Sequence, residues 1–300
     1  MNSSLQGYAA FVLGTLDEAT AETVAQELAS VNDTIGANND LRAAMTDTSV
    51  PGSQRRAVLS ELLSGKVSAP TERLAANAAL VTQAQDVPAA LGYLAVRARQ
   101  AATGDLVVEP VLSVSGARGR VGGFADALFE TLEVADLEEI EDELFRFARI
   151  VESNPTLRTA LTDRDMPVQR RQAIVSSLIE GKASAPALGL LRYVIAGGRS
   201  RDFVGTLDWL VDKTARARGW RVAKIRTAQP LAETQAASLR SSLAEMAGNP
   251  VELQVTEDPS LLGGIRIEVG DLLVDATAKA RLVQLREHLE TDHQAFIPHD

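Results

Sequence analysis

The chain contains itself twice. Slid along its own length by 116 residues, the sequence aligns Leu41-Arg42 with Leu157-Arg158, Thr46-Asp47 with Thr162-Asp163, Pro51 with Pro167, and Gly65-Lys66 with Gly181-Lys182 (157 − 41 = 181 − 65 = 116). Ser68-Ala69-Pro70 falls on Ser184-Ala185-Pro186. Without any gap, Gly7 then meets Gly123, Leu28 meets Leu144, Asn38 meets Asn154, Arg55 meets Arg171 and Leu94 meets Leu210. So many coincidences at one offset make residues from about 3 to 102 and from about 119 to 218 two copies of one domain. Any fold for this chain must therefore be built twice over.

Each copy reads as a string of helices. In copy two, Leu137, Ile140, Leu144, Phe147 and Val151 have the spacing of one helix face, and Ser153-Asn154-Pro155 stops that run and opens the next. The pattern predicts helices over 123–132, 136–152, 155–162, 167–180, 186–196 and 201–218. Connections this short make neighbours antiparallel, so each copy is expected to be a compact bundle. Aromatic residues are only 4% of the chain, which favours helix packing over a β-sandwich core. Leu106 to Ser115 holds several β-branched residues and precedes Gly116, Gly119, Gly122 and Gly123, which predicts a linker, part extended and part flexible.

After Gly219 the periodicity changes. Arg221 to Thr227 reads as a strand, and Ala232 to Met246 as a helix with Leu239, Leu243 and Met246 on one face. Val251, Leu253 and Val255 alternate, as do Ile265, Ile267 and Val269; Gly270-Asp271 turns the chain into Leu272 to Val274, and Ala276 to Leu289 reads as a last helix. The expected fold class is mainly α: two tandem six-helix bundles followed by a small α/β domain. The expected boundaries are a bundle over 1–105, a linker over 106–118, a second bundle over 119–219, and the small domain over 220–300 with a frayed tail.

Composition removes several function classes. No apolar run approaches the roughly 20 residues of a spanning helix, and the start MNSSLQGYAA has no basic segment ahead of an apolar one, so neither a span nor a secretory signal is read. With no Cys, thiol chemistry is excluded and an intracellular setting is expected. A net charge of -10 has the wrong sign for a nucleic-acid partner.

No catalytic constellation emerges, and neither cofactor nor metal is expected. The strings GKVS at Gly65 and GKAS at Gly181 lack the phosphate-loop pattern, since Ser60 and Ser176 stand where its first Gly is needed and Val67 and Ala183 follow the Lys. They read instead as helix ends with a glycine cap. His288, His293 and His299 lie in the last helix and tail and read as solvated tail residues, not as metal ligands. Glu138, Glu139, Glu141, Asp142 and Glu143 read as a solvated helix face, and Arg55-Arg56 with Arg170-Arg171 as surface salt-bridge partners.

One stretch carries a family pattern. Ala228-Gln229-Pro230-Leu231 with Gln235, then Asp258-Pro259-Ser260-Leu261-Leu262-Gly263-Gly264-Ile265, then Gly270-Asp271 and Asp275 ahead of Leu282, Leu285 and Leu289, resembles the delta subunit of bacterial ATP synthase. That family includes the mitochondrial oligomycin-sensitivity-conferring protein. Phe124-Ala125 through Leu128-Phe129 resembles the family's first helix, and Asn154-Pro155 with Leu157 and Leu161 its third. Residues from about 119 to 290 thus resemble a complete delta subunit. The chain departs in having Asp275-Ala276-Thr277 for the commoner Asp-x-Ser and in carrying an additional helical copy. In the C-terminal region the motif residues are Asp258, Pro259, Leu262, Gly263, Gly264 and Asp275.

The resemblance implies a non-catalytic stator part at the cytoplasmic face of the cell membrane, peripheral to it, linking the catalytic head to the peripheral stalk. It implies alpha subunits as partners of the helical domain and the b stalk subunit as partner of the C-terminal domain, with no nucleic acid and no metal. The physical mode expected is a partner helix laid in an apolar groove between helices one and five. In copy two that groove is expected at Phe124, Leu128, Phe129, Leu191, Val194 and Ile195, and in copy one at Tyr8, Phe11, Val12, Leu74 and Leu80. The same residues would also suit a buried core. The rival reading is a stand-alone helical adaptor unrelated to ATP synthase, weakened because two copies are fewer than a solenoid needs.

Overall fold

A computed structural model describes residues 2–106, 114–163, 165–198, 202–219, 221–247, 250–259, 261, 263–269 and 272–275. Within these the protein is mainly helical, with one small sheet. Copy one holds α1 (Ser3–Gly14), α2 (Glu18–Ala37), α3 (Asn39–Thr46), α4 (Gly52–Leu63), α5 (Ala69–Val81) and α6 (Val87–Ala102). Copy two holds α7 (Val114–Phe129), α8 (Val134–Ser153), α9 (Pro155–Thr162), α10 (Val168–Ile179), α11 (Ala185–Gly197) and α12 (Phe203–Ala217). From α2/α8 to α5/α11, paired helices begin and end 116 residues apart (134 − 18 = 153 − 37 = 197 − 81 = 116), so the repeat extends from sequence to element boundaries.

The shared boundaries have shared causes. Asn38 Oδ1 accepts from the backbone N–H of Leu41, and Asn154 Oδ1 from that of Leu157, each at 3.0 Å, which satisfies otherwise orphaned donors at the starts of α3 and α9. Gly65 and Gly181 follow the ends of α4 and α10 with φ of 70° and 74°, a left-handed conformation that glycine adopts without steric cost. The GKVS and GKAS strings are thus helix terminators, as their chemistry indicates.

The first helix of copy two departs from expectation. It begins at Val114, not 123, and takes Gly116, Gly119, Gly122 and Gly123 into its interior. Those glycines are not a flexible tether, because the helix they weaken is held against α1. A Cβ at Gly123 would stand 1.8 Å from the carbonyl oxygen of Ser4, and one at Gly119 would stand 2.4 Å from Ser3 Oγ. The close approach requires glycine, and tertiary contact overrides its poor helix propensity. Residues 107–113, the extended part of the expected linker, lie outside the described residues.

The chain divides into two compact units, residues 1–210 and 211–300; the division falls inside α12, ahead of the boundary expected at 219–220. In the first unit, Leu5, Tyr8, Val12, Leu28, Leu74, Leu91 and Leu94 are buried in one cluster that also takes in Ala127 of α7. The second unit holds β1 (Arg221–Thr227), α13 (Glu233–Ala247), β2 (Val251–Glu257), β3 (Ile265–Val269) and β4 (Leu272–Asp275). The sheet order is β2-β1-β3-β4, with β1 and β2 parallel and the other pairs antiparallel. The helix α13 makes the crossover a parallel pair needs, and Leu243 joins Ala223, Ile225, Val251 and Ile267 in the core. Met246, expected on the same face as Leu243, is 64% exposed in the last turn of α13. The expected helix over 276–289 and the tail with its histidines lie outside the described residues.

Candidate functional site

The helix-one and helix-five faces are the surfaces expected to take a partner, and in the first unit the two first helices, α1 and α7, pack directly on one another. Gly7 and Gly123 make reciprocal close approaches: a Cβ at Gly7 would stand 1.8 Å from the carbonyl oxygen of Arg120, as one at Gly123 would from that of Ser4. Because 123 − 7 = 120 − 4 = 116, the two contacts are the same contact seen from each copy. The two first helices are therefore paired about a local two-fold axis that runs between α1 and α7, in the isologous manner of a dimer contact.

Around this seam the expected groove residues are largely covered. Tyr8, Val12 and Leu74 of copy one and Leu128, Phe129, Leu191, Val194 and Ile195 of copy two are buried. Phe11, Leu80 and Phe124 are half-buried. Phe11 meets Phe124 edge-on at 5.2 Å between ring centroids, and Phe124 stacks on Tyr193 of α11 at 3.9 Å. Thus α7 covers the α1–α5 face of copy one, and Phe11 of α1 reaches the aromatic pair on the α7–α11 face of copy two.

Polar groups fasten one side of the seam, and of these the sequence marks only Arg56 as an ion-pair partner. Glu130, just past α7, accepts a hydrogen bond from the Tyr8 hydroxyl and pairs with Arg73 at 3.2 Å and Arg56 at 3.8 Å. Arg73 also donates to the carbonyl oxygen of Ala127 at 2.9 Å, and Arg120 donates to Gln6 Oε1 at 2.9 Å. Burial pushes the Tyr8 phenol well above its ordinary pKa, and the bond to Glu130 pushes it further, so Tyr8 stays a donor. The counterparts of Glu130 and Arg73 in the other copy are Gly14 and Gly189 (130 − 14 = 189 − 73 = 116), so the polar cluster has no twin. The signal available in the sequence was the glycine pair Gly7/Gly123, a mark of close helix crossing repeated in both copies.

Two further devices hold helix five in place. The Glu27 carboxylate on α2 accepts from the Ser68 backbone N–H at 3.0 Å, from Ser68 Oγ at 2.5 Å and from Thr71 Oγ1 at 2.6 Å, at the start of α5. Glu143 on α8 does the same for α11 through Ser184, at 2.7 and 2.6 Å. Glu143 and Glu141 are buried, so the acidic run is not a wholly solvated face; only part of it turns to water. Arg55 and Arg171 are likewise buried instead of forming surface salt bridges. Arg55 donates to the carbonyl oxygens of Ala79 at 3.2 Å and Thr82 at 2.8 Å, and to that of Val50, closing the C-terminal end of α5.

The Glu27 contact has a pH signature. Burial raises its pKa, but the hydrogen bonds from Ser68 and Thr71 together outweigh burial and hold it below the ordinary glutamate value. A depressed carboxylate contributes stability that is present above its unfolded pKa and lost as pH falls through the folded value. Glu27→Gln is expected to cost about 1–2 kcal/mol at neutral pH, from bonds to a charged acceptor. In urea titrations across the acid range the gap between wild type and variant should close as the carboxylate protonates; a constant gap would show that its charge is immaterial.

In the second unit the family-motif residues have a structural task. β2 pairs in parallel with β1, yet β3 must return antiparallel on the other side of β1, so the intervening chain has to pass over the end of β1 and reverse. The Asp258 N–H donates to the carbonyl oxygen of Thr227 at 2.8 Å, anchoring the start of that passage, and Arg226 lies 3.7 Å from the Asp258 carboxylate. Pro259 follows, and Gly263 and Gly264 then reverse the chain into β3 with φ of 137° and 87°, which side chains resist. Asp275 stands opposite Arg266 at the end of β4. Leu262 lies outside the described residues.

Comparison with known proteins decides the family. The family model described as ATP synthase delta (OSCP) subunit matches residues 122–289, which takes in copy two and the second unit's sheet. The chain belongs to the ATP synthase delta (OSCP) family. Among its relatives, ATP synthase subunit delta of Salinispora arenicola is 35% identical over 93% of this chain and 92% of its own length. Those of a Parafrankia species and of Nocardia farcinica are each 34% identical, over 90% of both chains and 92% of both chains respectively. Matches of that extent leave too little of the chain outside them to omit copy one, so these delta subunits share the region beyond the family model. A chain in a cryo-EM structure of the Toxoplasma gondii mitochondrial ATP synthase hexamer matches at 20% identity with a TM-score of 0.40, covering 57% of this chain and 96% of that one.

Proposed function

We propose that the chain is the delta-type connector of a proton-translocating F-type ATP synthase, a non-catalytic part that ties the catalytic head to the peripheral stalk so that rotor torque acts against a fixed frame. The observation that carries this reading is the near end-to-end likeness to proteins named ATP synthase subunit delta. In this reading the two copies are six-helix bundles, copy two carries the principal contact to N-terminal helices of the alpha subunits, and the C-terminal domain meets the b subunit. Association with the cytoplasmic face of the membrane is through the complex; among the described residues no helix is long and apolar enough to cross a membrane. Apolar burial suits such a contact, since a stator needs slow dissociation and buried surface escapes salt screening.

The test is reconstitution. Membranes stripped of this chain should keep ATP hydrolysis but lose ATP-driven proton pumping, and adding back the purified full chain should restore it. Pumping undiminished after stripping would count against the connector and in favour of an adaptor outside the enzyme, a reading that the full-length likeness does not favour.

A further inference from the structure

The docking faces assigned to alpha-subunit helices are the faces that the two copies turn on each other. We infer that the α1–α7 seam is a latch: in the free chain each copy's first helix covers the other copy's docking face, and an amphipathic partner helix gains full access to either face only when the seam parts. The inference rests on the docking-face reading above and adds the competition between an internal and an external helix.

Three observations place the latch at the seam. Ala127 of α7 belongs to the buried cluster that holds Leu5, Tyr8, Val12 and Leu74, and Arg73 of α5 donates to its carbonyl oxygen at 2.9 Å, so α7 lies against α1 and α5 of copy one as an incoming helix would. Phe11 of α1 packs on Phe124, which is itself stacked on Tyr193 of α11, so the other face is capped by a copy-one side chain. The backbones approach so closely at Gly7 and Gly123 that a second helix has no room between them. A closed seam lowers the apparent affinity for a partner helix by the fraction of molecules that are open, and anything that loosens the seam raises it. Glu130, which takes Tyr8, Arg73 and Arg56 together, is the polar bolt of this latch.

The experiment uses the absence of Cys from the chain. Ser3 Cβ lies 3.5 Å from where a Cβ at Gly119 would stand, within the separation a disulfide spans, so Ser3→Cys with Gly119→Cys can lock the seam reversibly. The probe is a synthetic peptide of the N-terminal helix of the alpha subunit, titrated against the full chain. The oxidised double variant should bind it at least about tenfold more weakly than the same protein reduced, and Glu130→Ala should bind it several-fold more tightly than wild type. Glu130→Ala is compared with wild type by urea unfolding, and tighter binding with an unchanged cooperative transition reports an opened seam and not a loosened core, so the second variant keeps the test sound if the first is destabilised. Equal affinity of the locked and reduced forms would overturn the latch while leaving the connector intact. Failure of the peptide to bind any form, wild type included, would overturn the docking-face reading and the latch with it.

Discussion

Gly123→Ala is expected to destabilise the first unit by about 2–3 kcal/mol, a large effect for one methyl group. The added carbon would stand 1.8 Å from the Ser4 carbonyl oxygen and 2.7 Å from its carbon, and neither is a side chain that can swing away. The two helices have to move apart. By contrast, Gly189→Ala, in α11 with nothing within 4 Å of the new carbon, should stabilise by up to about 1 kcal/mol through helix propensity alone. The local two-fold sharpens the expectation, since Gly7→Ala meets the same obstacle at the Arg120 carbonyl. Once one substitution has spread the helices, the second finds part of its room already made, so the double variant should lose less than the sum by about 1 kcal/mol or more. Urea unfolding followed by far-UV circular dichroism measures all four proteins; strict additivity would show that each site relaxes by itself and that helix spacing is not what the glycines set.

The second large effect belongs to Arg55. Its guanidinium is buried and serves three carbonyl oxygens, those of Val50, Ala79 and Thr82, which come from the segment before α4 and from the end of α5. Arg55→Met keeps much of the volume but leaves these acceptors unmet, at about 1 kcal/mol or more each, for a loss of roughly 3 kcal/mol. Arg55→Lys should recover only a minor part, because an ammonium cannot spread over three acceptors as the planar fork does. Arg171, at the equivalent place, reaches the Leu161 carbonyl at a long 3.5 Å, so Arg171→Met should cost less. Equal losses at the two positions in the same unfolding assay would contradict the assignment of the effect to these carbonyls.

These residues also mark where a sequence is legible and where it is not. Asn38 and Asn154, Gly65 and Gly181, and the alternation in β2 and β3 act through their own neighbours, and local chemistry located them. The glycines from 116 to 123 read as a linker because, within their own segment, they weaken a helix; the partner that makes them necessary is α1, more than a hundred residues away. The acidic run around Glu143 reads as a solvated face for the same reason: the donors that let Glu143 be buried lie on Ser184. The aromatic and aliphatic residues of helices one and five were legible as an apolar surface. What covers that surface in the free chain was not, because periodicity states which face is apolar and never what lies against it.

The local two-fold has one more consequence. Two identical chains meeting about an axis must carry the same residue at both ends of their contact, and they fall apart on dilution. Here both halves of the contact are written into a single polypeptide. Dilution cannot separate them, and the two equivalent sides of the contact are free to differ: Glu130 and Arg73 close one side, and at the equivalent places Gly14 and Gly189 offer no side chain. A contact whose backbone repeats itself about an axis thereby carries different chemistry on its two sides.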